Sequence, residues 1–441
     1  MGRILVAARG KTALRIIRTC RELGIETVAV YSKEDEASPY LRLATDAVCI
    51  GAKSDVYENE SQILAAAEIS DVEAIHPGIG PLATNMHFAD ICESHELAFI
   101  GAPVRVLSCL TNKLEARRSA SELGVPVLPA ADEPVSEKST AFEIAGKIGY
   151  PVLVRAVETG SGFGVRAAED ENSLVAALAA AATDTKKPGG VYLEKYLPSA
   201  KHIEICVLAD RHGNAVSLGD RDESLQRGHR TVVAEAPAPA LSVAVRKAME
   251  EMAVRFARSL GFSGTGSVQF MVDGGGKFYF CGFRAIITAM PSVTEAVTGI
   301  DVVREELRIA SGETLPFAQG DISIEGTAVG CRIMAEDPDK RFAPSGGTVT
   351  LFAPPAGRGV RVDTSLWTGM IIQPGVEGGL AQITAHRPSR GEAIAALRVA
   401  LDEIVLEGVK TTLPLIRELF GHARFIKGDI DTRFLEEYFV S

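Results

Sequence analysis

A cation followed by a glycine-rich loop is the stretch of this chain best suited to binding phosphate. Residues 150–166 form an apolar run that ends at Arg155, a loop with Gly160, Gly162 and Gly164, and a second short apolar run. Glycine lets backbone N–H groups approach an anion closely, and a cation at the end of a strand can reach the same phosphate. The pattern predicts a β-hairpin with a phosphate-binding tip, although alone it is also typical of an ordinary hairpin.

Strands and helices alternate in the N-terminal part of the chain. The predicted strands are 3–9, 26–31, 47–50, 74–76 and 98–100, and the predicted helices are 12–23, 61–69 and 85–95. This alternation indicates an α/β unit with a doubly wound parallel sheet. His76 and Gly78 follow the fourth strand, at the edge where α/β proteins bind ligands. His76 is therefore either a ligand-binding group or a turn histidine that caps the local backbone.

Beyond this unit the pattern predicts a small α/β lid and two further units. One helix over 103–124 leads into the lid and carries Lys113, and a strand over 191–197 ends on Glu194 and Lys195. From residue 202 the apolar residues alternate, as they do in antiparallel strands. The last unit has predicted strands at 326–334, 347–351 and 380–385. The predicted domain boundaries are 1–112, 113–200, 201–323 and 324–441.

Composition excludes several classes of protein. The net charge of -11 argues against a nucleic-acid partner, because phosphate binding on that scale needs a basic face. The seven cysteines form no C-x-x-C pair, so neither a zinc site nor a disulfide framework is indicated. The chain shows no signal peptide and no apolar run long enough to span a bilayer. These features predict a cytoplasmic protein with no membrane partner.

Short motifs spread along the whole chain resemble those of biotin carboxylases, the ATP-using components of biotin-dependent carboxylases. The matching runs are Ala8-Arg9-Gly10, His76-Pro77-Gly78, Glu194-Lys195-Tyr196-Leu197, His202-Ile203-Glu204, Ser224-Leu225-Gln226-Arg227, Glu235-Ala236-Pro237, Val293-Thr294-Glu295 and Cys331-Arg332-Ile333. The resemblance implies an α/β ATP-grasp fold in three units: a Rossmann-like N-domain, a small α+β lid and a mixed or antiparallel C-domain. In this family ATP activates bicarbonate, and the carboxyl group then moves to the ureido nitrogen of biotin.

The positions that contact nucleotide in the family keep their residue types. They are Lys113, Glu194, Lys195, Leu197, His202, Gln226, His229 and Met271. Arg155 stands where the family has a lid lysine, and Gly160, Gly162 and Gly164 belong to the lid loop, which here also contains Glu158. The resemblance thus implies a site for ATP or ADP, and the sequence leaves open whether nucleotide still binds.

The charged residues of the family's reaction centre are replaced in this chain. Its two metal-binding glutamates correspond to Gln269 and Gly282, and the asparagine beside the metal corresponds to Arg284. No metal site is therefore predicted, and magnesium binding is in doubt, because Mg²⁺ prefers charged oxygen ligands.

Further losses affect bicarbonate binding and the general base. The bicarbonate-binding arginine and glutamine correspond to Ile286 and Thr288, and the general-base glutamate corresponds to Met290. A family lysine is Thr231 here. Arg332 resembles the family arginine near the biotin ureido oxygen and is retained, although a strand-end salt bridge would also explain it.

Three functional hypotheses follow from this pattern. The leading one is a non-catalytic subunit that scaffolds or regulates a biotin-dependent acetyl- or acyl-CoA carboxylase, as in fatty acid biosynthesis. The second is an active biotin carboxylase whose metal ligands have moved to Asp222 and Glu223. The third is another ATP-grasp ligase, in which Arg284 binds an acidic group.

The resemblance also implies an oligomer, either with itself or with other carboxylase subunits. Candidate partners are an active biotin carboxylase paralogue, the biotin carrier protein and the carboxyltransferase. The positions through which the family dimerises include Arg18, Glu22 and Arg361. The apolar family residue just before that last motif is Arg358 here, which predicts a changed interface.

Overall fold

Five parallel strands form the first sheet in the computed structural model, which describes residues 1–135, 137–158, 165–184, 190–228, 230–239, 241–375 and 379–439. Their order is β3-β2-β1-β4-β5, where β1 is Arg3–Val6, β2 Glu26–Ser32, β3 Asp46–Gly51, β4 Ala74–His76 and β5 Ala98–Phe99. The flanking helices are α1 (Gly10–Glu22), α2 (Glu60–Ile69) and α3 (Met86–Ser94). The predicted α/β unit with a parallel sheet is confirmed, because apolar strand runs bury both faces of the sheet.

The predicted single helix over 103–124 is wrong, because the chain breaks at Asn112. Two helices, α4 (Val104–Thr111) and α5 (Lys113–Glu122), occupy this stretch. Asn112 is extended, and its side chain accepts hydrogen bonds from the N–H groups of Leu114 and Glu115. An asparagine in this role starts a new helix. Lys113 therefore stands at the first turn of α5, next to the lid.

The lid consists of a three-stranded antiparallel sheet and two helices. They are α6 (Lys138–Ile148), β6 (Val152–Ala156), β7 (Arg166–Ala168), α7 (Glu171–Asp184) and β8 (Val191–Lys195), with strand order β7-β6-β8. The antiparallel pairing of β6 with β7 confirms the predicted hairpin. Its tip, with Gly160, Gly162 and Gly164, lies outside the described residues.

One eight-stranded sheet carries the centre of the molecule. Its order is β15-β14-β9-β10-β13-β16-β23-β21, and its pairings are antiparallel. The strands are β9 (Lys201–Ala209), β10 (Ala215–Asp222), β13 (Val233–Ala236), β14 (Gly264–Val272), β15 (Phe278–Arg284), β16 (Thr327–Met334), β21 (Val360–Thr364) and β23 (Gly379–Arg387). The sheet runs across the predicted boundary at residue 323, and the division into four segments stays a prediction.

Shorter strands and the remaining helices surround this sheet. The strands are β11 (Gln226–Arg227), β12 (Arg230–Thr231), β17 (Glu336–Asp337), β18 (Ala343–Pro344), β19 (Gly347–Thr348), β20 (Leu351–Ala353), β22 (Ile371–Ile372) and β24 (Val405–Glu407). The helices are α8 (Val243–Leu260), α9 (Pro291–Thr298), α10 (Val302–Ala310), α11 (Arg390–Glu403), α12 (Leu413–Gly421), α13 (Ala423–Lys427) and α14 (Phe434–Phe439). The strand predicted at 347–351 is wrong, since β19 and β20 pair with different partners, β22 and β24. Within the described residues, no helix combines the length and apolar character needed to cross a membrane.

Candidate functional site

One row of residues crosses four neighbouring strands of the large sheet. Gly282 on β15 lies opposite Gln269 on β14, which lies opposite Glu204 on β9, which in turn lies opposite Arg221 on β10. Residues directly opposite one another on adjacent strands are close enough to bond. Gln269 Nε2 donates to Glu204 Oε1 at 2.7 Å, and Arg221 Nη2 donates to Glu204 Oε2 at 2.8 Å. Both carboxylate oxygens of Glu204 are therefore engaged within the protein.

A second carboxylate meets the same arginine. Arg221, whose side chain is 1% exposed, lies 3.2 Å from Glu223, between Nε and Oε1. Thr231 Oγ1 donates to the other oxygen of Glu223 at 2.6 Å. Arg221 Nη2 also donates to Thr288 Oγ1 at 2.6 Å. We call Arg221, Glu204, Glu223, Gln269, Thr231 and Thr288 the Arg221 network.

The side chains at three positions where the family has other residues thus bond within this network. Gln269 bonds to Glu204, Thr231 to Glu223 and Thr288 to Arg221. Ser267 and Thr294 add two further oxygen acceptors for Arg221. An arginine so surrounded is stabilised in its charged form, which offsets the cost of burying it.

The two carboxylates of the network have opposite pKa shifts. Burial alone would raise the pKa of Glu204, but the charges of Arg284 and Arg221 together with other partners hold it well below its usual range. Burial and the negative charge of Glu204 raise the pKa of Glu223. Two adjacent buried carboxylates cannot both ionise freely unless a cation lies between them. Arg221 is that cation.

The donor set at the positions that correspond to the family's metal ligands does not suit a divalent cation. The Gln269 amide is hydrogen-bonded to Glu204, and Gly282 has no side chain. Arg284 Nη1 lies 3.9 Å from Glu204 Oε1, so a positive charge already stands beside the carboxylate of this row. Among the described residues, no group of three or more His, Cys, Asp or Glu side chains is arranged to hold a metal.

The position of the family's general base is an apolar core site. Met290 is 0% exposed and belongs to a small cluster of buried side chains, formed with Ala234, Ala236, Val293, Val297 and Ala328. A carboxylate here would lose its hydration and gain no cation from the apolar side chains of this cluster, at a cost of several kcal/mol. Ile286, at the bicarbonate-binding arginine position, is half-buried on the same stretch.

The predicted carboxylates of the relocated metal site are also engaged. Asp222 Oδ1 accepts hydrogen bonds from the N–H and the hydroxyl of Ser224, at 2.9 and 2.5 Å. Glu223 belongs to the Arg221 network. Both side chains are almost completely buried. The other oxygens, Asp222 Oδ2 and Glu223 Oε1, are buried and accept no hydrogen bond from the described residues, and each faces a cation of the chain: Lys201 at 3.8 Å and Arg221 at 3.2 Å.

The lid places three predicted nucleotide-binding residues together. Arg155 Nη1 donates to Glu194 Oε2 at 2.6 Å, and it lies 3.9 Å from the sulfur of Cys281 on β15. Lys113 is half-buried beside this pair, and desolvation together with the charge of Arg155 lowers its pKa to about 8. The expectation that Arg155 offers a free charge to phosphate needs correction, because Glu194 already neutralises it.

The other residues predicted to bind nucleotide lie on β8, which we call the hinge strand, just after it, and on β9, β11 and β14. Lys195 Nζ donates to the carbonyl oxygens of Gly149 and Tyr150 at 2.8 and 2.9 Å, so this charge holds the lid backbone. Leu197 is half-buried just after β8. On the large sheet, His202 lies directly opposite Met271 and its Nδ1 is 2.9 Å from Nε2 of Gln226. His229 lies outside the described residues.

Arg332 is half-buried and forms no ion pair with a carboxylate in the described part of the chain. Its Nη1 donates to the carbonyl oxygen of Thr231 at 3.3 Å, while its Nε is buried and has no hydrogen-bond partner there. Desolvation lowers the pKa of Arg332; the negative charges of Glu223 and Glu336 partly offset this, and the positive charges of Arg230 and Arg284 add to it. The strand-end salt bridge that would also have explained Arg332 is therefore not present among the described residues.

His76 has the role of a turn histidine. It is 1% exposed, its Nδ1 accepts a hydrogen bond from the N–H of Gly78, and its Nε2 lies 3.3 Å from Glu306. An open cleft of about 490 Å³ adjoins it. The residues lining that cleft include Lys11, Arg15, His76, Thr288, Arg361 and Gln382.

Sequence reasoning missed the organising role of Glu204 and Arg221. The signal was present: strict alternation along β9 puts Glu204 on the same face as His202, a predicted site residue. That Arg221 faces Glu204 depends on strand register, which the sequence did not reveal.

Models of known families match the chain from end to end. The description "Biotin carboxylase, N-terminal domain" matches residues 1–107, and "Biotin carboxylase C-terminal domain" matches residues 330–437. Between them, "Carbamoyl-phosphate synthase L chain, ATP binding domain" matches residues 112–318.

Individual relatives extend this likeness to the full length. Biotin carboxylase 1 of Bacillus subtilis is 41% identical, over 99% of both chains. The biotin carboxylase domain dimer of Hydrogenobacter thermophilus 2-oxoglutarate carboxylase, solved with MgADP, ADP and bicarbonate, is 38% identical over 99% of this chain and 97% of its own, with a TM-score of 0.95. Another structure of a thermophilic 2-oxoglutarate carboxylase domain, with ADP but no magnesium and a disordered phosphate tail, is 38% identical over 99% of this chain and 98% of its own, with a TM-score of 0.86. The ATP-grasp fold predicted from the motifs is confirmed, and the chain belongs to the biotin carboxylase family.

Proposed function

We propose that this chain is a biotin-carboxylase-family subunit of a biotin-dependent carboxylase complex, and that it does not carry out the carboxylation itself. The observation that carries this proposal is the Arg221 network. The side chains that replace the family's charged residues bond to one another, and a methionine in an apolar cluster stands where the base would act. A centre without metal carboxylates and without a base lacks the groups that this chemistry needs.

The comparisons by themselves favour the other candidate, an active biotin carboxylase. The relatives carry that name over their whole length, and one solved structure holds MgADP together with bicarbonate. An active enzyme would have to hold magnesium with groups other than Gln269 and Gly282. The nearest carboxylates are those of Glu204, Glu223 and Asp222, which are buried and hydrogen-bonded. Measurement of ATP cleavage in the presence of bicarbonate, magnesium and free biotin separates the two candidates.

We further propose that the cleft between the lid and the large sheet binds ADP or ATP. Solved relatives were obtained with ADP, and one of them with MgADP. Lys113, β8 and the His202–Met271 pair carry the residue types that the motif resemblance assigns to nucleotide binding, which supports this proposal. The adenine end of the ligand would meet β8, and Lys113 would supply a positive charge to the phosphates. The doubt about magnesium binding rests only on the chemistry of Gln269, Gly282 and Arg284. The comparisons do not support that doubt, because one solved relative was obtained with MgADP.

The affinity for ADP should fall as the pH rises from 7 to 9. Lys113 has a pKa lowered to about 8, so it loses its positive charge within this range. A neutral amine cannot form a charge-assisted hydrogen bond to phosphate, and such bonds are worth about 1.5–3 kcal/mol. Calorimetric titration at several pH values checks this, and Lys113→Met should give weaker and nearly pH-independent binding. Equal pH dependence in wild type and variant would contradict the role of Lys113.

The contact with a carboxylase partner should use α1 and the turn at 357–362. On this surface Arg18 and Arg358 are exposed. Glu22 and Arg361, by contrast, are paired within the chain: Glu22 with Arg304 at 2.7 Å, and Arg361 with Glu295 at 2.5 Å. Two copies of Arg358 facing each other across a two-fold axis would repel, whereas an arginine can stack on an apolar or aromatic residue of a different chain.

Co-expression with an authentic biotin carboxylase should therefore give a mixed assembly, detected by native mass spectrometry. Arg358→Glu should weaken that assembly. Arg398→Glu, on the exposed side of α11, is a matched control and should leave it unchanged. A stable symmetric dimer of this chain that takes up no biotin carboxylase would contradict the proposed partner.

A further inference from the structure

We propose that Arg284 and Arg332 form a phosphate-binding site that takes the place of a metal ion, so that the chain binds the phosphate tail of ADP or ATP without magnesium. This inference rests on the nucleotide binding proposed above. In this proposal the guanidinium group of Arg284 supplies the positive charge that a metal ion supplies in the family. The ligand is the phosphate tail of a nucleotide that carries no bound metal.

Arg284 is the more accessible of the two guanidinium groups. Its side chain is 37% exposed, and it stands at the end of β15, beside the row that contains Glu204. At 3.9 Å its contact with Glu204 is an ion pair without a hydrogen bond. The oxygens of Glu204 are already taken by Gln269 and Arg221. The N–H donors of Arg284 are thus available to an anion, in a planar fork that suits phosphate.

Room for an anion lies on the exposed side of Arg284, and not at Gly282. A Cβ atom added at Gly282 would lie 3.1 Å from Oε1 of Gln269, which is tighter than an ordinary van der Waals contact. The Gln269 amide thus already occupies the place where the family's glutamate side chain would begin, and an anion would meet Arg284 on the 37% of its side chain that is exposed.

Arg332 approaches from the other side of the network. Among the described residues its one hydrogen bond goes to the carbonyl oxygen of Thr231, whose hydroxyl donates to Glu223. Its Nε is buried and lacks a hydrogen-bond partner among the described residues. A half-buried guanidinium with unused donors is costly, and an anion that accepts from them lowers that cost.

The charge balance points in the same direction. Five guanidinium groups, on Arg221, Arg227, Arg230, Arg284 and Arg332, stand around three carboxylates, those of Glu204, Glu223 and Glu336. Each carboxylate is already paired with another arginine: Glu204 and Glu223 with Arg221, and Glu336 with Arg227 and Arg230. The positive charge of Arg284 and Arg332 is therefore only partly compensated. In a partly desolvated cleft, such an excess attracts phosphate more strongly than it would in water.

Calorimetry with ADP, adenosine and inorganic phosphate, each in EDTA and in magnesium, tests the proposal on the full chain. Wild type should bind ADP with affinities within about threefold of each other in the two buffers. Arg284→Gln and Arg332→Gln should each weaken ADP binding in EDTA by about tenfold or more, the usual effect of losing a charge-assisted bond. Adenosine binding should stay unchanged, as should ADP binding by the exposed control Arg398→Gln.

The three ligands separate the possible failures. If ADP binding requires magnesium, or if neither arginine variant differs from wild type, the metal-free site is overturned. If inorganic phosphate binds in a manner that depends on Arg284 while ADP and adenosine do not bind, the anion site stands and the proposed nucleotide binding falls. If none of the three binds, both proposals fall. Arg284→Lys keeps the charge and should retain most of the affinity, which excludes a merely structural role for the arginine.

Discussion

Purified protein incubated with ATP, bicarbonate, magnesium and free biotin should cleave no ATP above a control without protein. General base catalysis alone contributes roughly 10²–10⁴-fold to such reactions, and metal ions stabilise the developing phosphate charge further. Here the base position is Met290 in an apolar cluster, and the metal positions are Gln269 and Gly282. Release of phosphate measured with and without bicarbonate checks this.

An authentic biotin carboxylase, such as that of Bacillus subtilis, is the positive control in the same buffer. Turnover by this chain at a comparable rate would show that it is an active biotin carboxylase after all. Magnesium would then be held by groups that the described network does not offer.

Restoring three family residues should fail to restore activity. In the variant with Gln269→Glu, Gly282→Glu and Met290→Glu, Arg284 still places its positive charge beside the metal position. A glutamate at 290 would also bury a carboxylate in an apolar cluster, so the melting temperature should fall as well. Met290→Leu is the matched control and should leave stability nearly unchanged.

Removal of the central arginine should have the largest effect on stability. We expect Arg221→Met to lower the free energy of unfolding by about 3–5 kcal/mol, the usual cost of breaking a buried ion pair from one side. The substitution leaves Glu204 and Glu223 adjacent and buried without the cation that lies between them, and Arg284, 3.9 Å from Glu204, compensates only in part. Denaturant titration followed by circular dichroism measures the loss.

Two further measurements separate this electrostatic cause from a simple packing defect. Replacing Glu204, Arg221 and Glu223 together by Met, Met and Leu should recover most of the stability, because no unpaired charge remains. In Arg221→Met alone, both carboxylates should have raised pKa values and take up protons more easily than in the unfolded chain. The loss relative to wild type should therefore shrink as the pH falls from 7 to 5. A loss that is independent of pH, and that persists in the triple variant, would contradict the electrostatic account.

Local patterns in the sequence determined the fold. The parallel N-terminal sheet, its flanking helices and the lid hairpin were predicted within a few residues of their observed ends, since each is encoded by contiguous apolar periodicity and by turn residues. The exception at Asn112 has a local cause too. Apolar spacing continues through that position, and a single capping side chain outweighs it.

The sequence by itself also determined which site residues are unusual, because Gln269, Gly282, Arg284 and Met290 stand inside otherwise intact family motifs. It did not determine what these residues do. Only the tertiary structure decided that Gln269, Thr231 and Thr288 bond within one network around Arg221, that Glu194 neutralises Arg155, and that Arg332 has no carboxylate partner among the described residues. The physical reason is that these partners lie far apart along the chain, by 67 residues for Arg221 and Thr288. Strand register in the large sheet and the pairing of β6 with β8 in the lid bring them together, and neither is written in a local pattern.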